Sequence, residues 1–212
     1  MSLSNDHVLS VLKNRFVCGF KNITGESYAG RSGHHDTDSP AVVTTNGAGP
    51  HNVQMFILSA DGTVLHCLPG YWAPQDLLFE MQFALNLEKI WKNNSLSQEP
   101  KDRMFRQANL INIRYHPREM MERSHLQSFD AKHEEAKPDS DFRFKPGDYR
   151  PPLHLAKHSN LKTTDQVVHE RMARRPFVAY EDFDVEKFSD YGKMRYDKKE
   201  ETRETAGKGK KK

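Results

Sequence analysis

The sequence predicts an α/β fold in which a sheet is flanked by helices and followed by a polar C-terminal extension that is mostly helical or disordered. Three observations carry this expectation. Residues Asn52 to Trp72 read as two short strands reversed at Asp61-Gly62 and closed by Pro69-Gly70, because Asp-Gly tolerates the positive φ of a tight hairpin turn. Immediately afterwards Leu77, Leu78, Met81, Ala84 and Leu85 recur at helical spacing behind Pro74, whose missing N–H costs nothing in a first turn. Apolar residues also gather before about Trp91, in a chain that is 36% hydrophobic and 29% charged with a mean hydropathy of −0.83.

In chain order, Asn5-Asp6 caps a short helix carrying Val8, Leu9, Val11 and Leu12, and Arg15 to Ile23 reads as a strand. Thr24 to Pro50 is a long connection rich in Gly, Ser, Thr, Asp and His, with Ala41 to Thr45 as a brief extended segment. The hairpin and its helix follow, and Asn93-Asn94-Ser95 ends the helix, where the ordered core is expected to stop. Pro100 to Ala136 predicts polar helices that pack by one apolar stripe and break at Pro117. Lys137 to Pro152 has the composition of a linker. Thr163-Thr-Asp-Gln166 reads as a capping box opening a helix with Val167, Val168 and Met172, which Pro176 ends before a short strand at Phe177 to Tyr180. Charge dominates from Lys193 to Lys212, so the division is 1–93, an α/β domain; 94–192, a charged helical and linker extension; and 193–212, a disordered basic tail.

The net charge of +3 gives no global drive toward nucleic acid, and the terminal Lys208-Gly-Lys-Lys-Lys212 allows tail contacts at most. Two cysteines are too few for a secreted disulfide scaffold or a cysteine-based zinc site, which points to a reducing compartment. No stretch has the length of a membrane span, and the N-terminus lacks the pattern of a signal peptide. A cytoplasmic protein, away from membranes, is the expectation.

The order of helix, strand, long connection, hairpin ending in Pro-Gly, then helix resembles the thioredoxin-like family from its active-site helix onward, over residues of about 5–93. Val53 to Gly70 is similar to that family's last two strands, and Asn5 to Val17 to the end of its active-site helix. The resemblance implies an incomplete or modified thioredoxin-like sheet. The chain has no Cys-x-x-Cys, the pair whose thiolate a helix N-terminus stabilises, and the nearest proline to the family's cis-proline position is Pro50. The strand that would precede the first helix is also missing. Truncation upstream of Met1, or a fill by Phe177 to Tyr180 or Ala41 to Thr45, is favoured over a swapped second chain. These departures imply a redox-inactive domain working through contacts with a protein partner and needing no cofactor. A thiol-disulfide oxidoreductase, using a single cysteine or truncated at its N-terminus, is the alternative.

Among chemistry-bearing residues, Cys18 and Cys67 lie in predicted strands beside apolar neighbours and read as small buried hydrophobes, which leaves them weak catalytic candidates. Thr45, Asn46, Pro50, His51 and Asn52 cluster small and polar groups where the family has its active-site rim, and form the candidate binding rim. Gly33-His34-His35-Asp36 offers imidazoles and a carboxylate, so a metal-binding role for His34, His35 and Asp36 is a second alternative, although adjacent histidines diverge in extended backbone. His169-Glu-Arg-Met-Ala173 begins like a His-Glu-x-x-His helix but lacks the second histidine.

Overall fold

The computed structural model describes residues 2–23, 53–126, 128–151 and 160–188. Helix α1 spans Asp6–Arg15, and the side chain of Asn5 caps it by accepting from the N–H groups of His7 and Val8 at 3.1 and 3.3 Å. Beyond Arg15 the expected strand does not form. Residues 16–23 enter no sheet; Val17 and Phe20 stand fully exposed, and Cys18 is exposed. Strand propensity alone has no effect here because no described strand offers a neighbouring ladder.

The sheet has two antiparallel strands, β1 at Gln54–Leu58 and β2 at Val64–Pro69, with Phe56 opposite Cys67 and Ile57 opposite His66. A register shift between Ile57 and Leu58 accompanies the turn, and Gly62 adopts φ of +87°, the left-handed geometry expected of Asp61-Gly62. Asp61 fixes this turn. Its carboxylate accepts from the Ser59 hydroxyl, from the Thr63 N–H at 3.1 Å and from the Trp91 indole at 2.9 Å, tying the hairpin tip to the end of the following helix. These bonds, that from Ser59 foremost, hold the Asp61 carboxyl well below its usual range.

Helix α2 spans Pro74–Trp91 and opens with proline in its first turn, as its sequence predicts. Trp72, fully buried, covers one end of the core and donates its indole N–H to the Pro69 carbonyl at 3.1 Å. Helix α3, Gln98–Tyr115, buries Phe105, Asn109, Asn112 and Ile113 along one stripe, and Pro117 separates it from α4 at Arg118–Arg123. Helix α5 is Ser128–Ala136, α6 is Thr164–Ala173 and α7 is Val185–Phe188. Thr163 stands at the N-cap of α6, but the predicted capping box does not close. Gln166 instead donates to the Tyr149 carbonyl and to Glu170 Oε1, each at 3.0 Å.

The ordered core does not stop near Asn93. One cluster joins Leu65, Leu68, Trp72, Leu77 and Met81 to Phe105, Met172, Phe177, Phe183 and Phe188 from the stretch expected to be an extension. Burying each such side chain contributes about 1.5–3 kcal/mol, so the later helices are held by the same driving force as the hairpin. The predicted strand at Phe177 to Tyr180 shortens to a single antiparallel bridge between Ala179 and Thr63, flanked by Val64 N–H donating to the Val178 carbonyl at 2.8 Å and Tyr180 N–H donating to the Gly62 carbonyl at 3.0 Å. Phe177 reaches it with φ of +48°, a conformation a non-glycine residue adopts at a cost of roughly 1–2 kcal/mol. Its ring packs edge-on to Phe105 at 4.7 Å and against Trp91 at 4.9 Å, contacts that offset the cost. No helix among the described residues is long and apolar enough to cross a membrane.

Candidate metal centre

At the junction of β2, α2, α3 and α6 lies a set of polar side chains with almost no solvent exposure. His66 comes from the middle of β2, every residue of which is buried. Glu80 stands on the apolar face of α2 between Leu77 and Ala84. Asn109 and Asn112 occupy successive turns of α3, His116 follows that helix directly, and Asp165 and His169 are one turn apart on α6. The helical spacings aim each group inward, because residues three or four apart share a face.

The three imidazoles present the same nitrogen to the same carboxylate. His66 Nε2 lies 2.8 Å from Glu80 Oε2, His169 Nε2 lies 3.2 Å from that oxygen, and His116 Nε2 lies 3.3 Å from Oε1. Ligand atoms of His66, Glu80 and His169 all fall within 4.8 Å of one another. Around an ion with bonds of about 2.0–2.2 Å neighbouring donor atoms stand about 3–3.5 Å apart, and the nitrogen–oxygen separations of 2.8, 3.2 and 3.3 Å are close to that. Phe79 and Phe83 wall the set, with Phe83 edge-on to His169 at 5.0 Å and Phe79 edge-on to His116 at 5.5 Å.

The outer nitrogens assign the tautomers. Asn109 Nδ2 donates to the Phe105 carbonyl at 3.0 Å, so its Oδ1 is the atom 2.9 Å from His169 Nδ1, which must therefore carry the proton. His116 Nδ1 likewise donates to Asp165 Oδ2. Both rings thus turn their Nε2 atoms toward Glu80. In a neutral ring that atom is a lone pair facing carboxylate oxygens, a repulsive arrangement unless a proton or a metal ion stands between. An acceptor on Nδ1–H that leaves Nε2 free is also the second-shell arrangement that orients metal-ligating histidines.

The electrostatics point in the same direction. Burial works to raise the Glu80 carboxyl, but the surrounding imidazoles, His169 foremost, outweigh it and hold it well below its usual range. Burial likewise opposes ionisation of Asp165, and the adjoining His116 prevails and keeps it low. Burial would lower His116, yet the Asp165 charge and hydrogen bond, aided by Glu80, push it up to about 10. For His169 burial dominates over the attraction of Glu80, and its pKa falls to about 4. Near neutral pH these four groups hold two buried carboxylates against one imidazolium. His116 Nε2–H then donates to Glu80, and a divalent ion that displaced this proton would balance the two carboxylates.

Of the residues singled out from sequence, Cys67 is buried as expected, and burial raises its thiol far above the usual range despite Arg175. Cys18 is exposed, a correction to its reading as a buried hydrophobe, and follows from the failure of its strand to form. The binding rim Thr45, Asn46, Pro50, His51 and Asn52 and the metal candidates His34, His35 and Asp36 lie outside the described residues. His169, set aside because its helix lacks a second histidine at i+4, is a member of the centre, and its partners come from distant elements instead. The signal for them was a carboxylate at a buried helical position, Glu80, and a histidine inside an apolar strand, His66. Comparison with protein-family models, curated proteins and solved structures returns no match for this chain.

Proposed function

We propose that this chain is a metal-binding protein in which His66, His116, His169 and Glu80 hold one divalent transition ion. The observation that carries the reading is the convergence of three Nε2 atoms on one buried carboxylate while the outer nitrogens of His116 and His169 are engaged by Asp165 and Asn109. Three imidazoles with one carboxylate suit zinc, iron(II), cobalt(II) or nickel(II), and disfavour calcium and magnesium, which require oxygen donors. Ligands drawn from β2, α2, α6 and the end of α3 would let the ion tie the hairpin to the later helices, so its binding energy is also folding energy. Elemental analysis of purified protein grown with zinc, iron and manganese tests this. About one ion per chain is expected in the wild type and none in Glu80→Gln at unchanged helix content. A metal-free wild type, or a Glu80→Gln variant that keeps its ion, contradicts the reading.

A second reading is a thioredoxin-like domain without the redox pair that acts through protein contacts. What favours it is the hairpin followed at once by α2, together with exposed apolar groups at Val17, Phe20, Ile111 and Tyr115 and a Cys67 thiol too buried to react. Native alkylation is expected to modify Cys18 and to reach Cys67 only after unfolding. Rapid native modification of Cys67 would instead support the thiol-disulfide alternative.

A further inference from the structure

Asn109 and Asn112 both touch the histidine cluster, but their amides are committed differently. Asn109 is tied at both ends, donating to the Phe105 carbonyl and accepting from His169 Nδ1. Asn112 Nδ2 lies 2.8 Å from His169 Nε2 and 3.2 Å from His116 Nε2, and its Oδ1 accepts no hydrogen bond among the described residues. On the metal reading given above, on which this inference rests, an ion takes up the Nε2 lone pair of His169 and displaces the Nε2 proton of His116. Neither nitrogen can then accept from Asn112, and an amide NH2 beside a cation is repelled. Half a turn about the terminal torsion exchanges Nδ2 for Oδ1 at the same place and sacrifices no other bond among the described residues. A neutral carbonyl oxygen then stands about 3 Å from two ligand nitrogens, the spacing of neighbouring donors around one ion.

We propose that Asn112 Oδ1 is a fifth ligand, so that the centre is a five-coordinate pocket of three nitrogens and two side chains donating oxygen. Such a pocket raises the affinity for manganese(II) and iron(II) relative to zinc, compared with the same site restricted to four ligands.

Cobalt(II) is the probe, because tetrahedral cobalt absorbs visible light more strongly than five-coordinate cobalt. Wild-type protein loaded with cobalt is expected to show the weaker five-coordinate spectrum. In Asn112→Leu the visible absorption per cobalt should rise about twofold or more, and manganese(II) affinity should fall at least about tenfold while zinc affinity changes little. Asn112→Asp, which keeps an oxygen donor, should retain the five-coordinate spectrum and bind manganese(II) about tenfold more tightly. A tetrahedral spectrum in the wild type overturns the fifth ligand, as does an Asn112→Leu variant matching the wild type in spectrum and manganese affinity; the metal site itself survives both outcomes. If Asn112→Leu fails to fold, an Asn112→Asp variant with unchanged manganese affinity overturns the assignment. Failure of wild-type protein to bind cobalt at all removes the metal reading and this inference with it.

Discussion

Around α6 two buried charged clusters stand within a few residues of each other. Lys162, at 2% exposure, sets its ammonium 2.7 Å from Asp148 and 2.6 Å from Glu170, and Gln166 donates a further bond to Glu170. Those carboxylates remain 22% and 12% exposed, so water supplies whatever the lysine does not. Asp165 and His169 face the other way, into a cluster where Glu80 and its imidazoles have no exposure. Both clusters hold two carboxylates and one permanent or induced cation. The difference is access to water: the first is a self-sufficient ion bridge at a boundary, whereas the second is sealed and turns three imidazole nitrogens toward one carboxylate. The same residue types therefore form an ion bridge in one place and, in the other, the donor set proposed above to hold an ion.

Removing the cation from each cluster should affect the two unequally. His116→Ala leaves Asp165 and Glu80 buried beside a lost imidazolium, and should cost about 3–5 kcal/mol in urea unfolding of metal-free protein. A loss no larger than that of an ordinary surface substitution would mean that Asp165 and Glu80 are neutral. Lys162→Met is expected to cost less, about 1–2 kcal/mol, because the partly exposed carboxylates rehydrate. That cost should depend on acidity. Burial acts to raise the Asp148 carboxyl, but the hydrogen bond from Lys162 prevails and holds it below its usual range. The stabilisation is thus fully present above the unfolded carboxyl pKa of about 3.9 and is lost as the pH falls through the lower folded value. Unfolding curves of wild type and Lys162→Met should converge in strong acid, and a gap independent of pH would exclude the ion bridge as its source.

The hairpin and α2 were legible because their signals are local: Asp61-Gly62 sets the reversal, Gly70 adopts φ of +78° at the closing Pro69-Gly70, and Pro74 opens the helix. The stop at Pro117 and the start of α6 at Thr163 were legible for the same reason. The strand expected at Arg15 to Ile23 does not form because a strand is defined by its neighbours, and none of the described strands pairs with it. The proposed centre is not legible in the sequence because its members, at 66, 80, 116 and 169, share no short spacing. What brings them together is the packing of α3 against α6, which depends on apolar residues such as Phe105 and Met172 that carry no chemical signature. The polar stripe Asn109, Asn112 and His116 on an otherwise buried face, and Glu80 amid Leu77, Met81 and Ala84, are the residues that mark such a site in sequence.

Metal binding at this centre is defined by which histidine nitrogens meet the ion. Long-range proton–nitrogen spectra of the histidine side chains, recorded while metal-stripped protein is titrated with zinc, resolve Nδ1 from Nε2 in each ring. With about one equivalent of zinc, the Nε2 signals of His66, His116 and His169 should shift to metal-bound positions while Nδ1 of His116 and His169 stays protonated. Unmoved signals in these three rings, or binding that shifts other histidines instead, would contradict the centre.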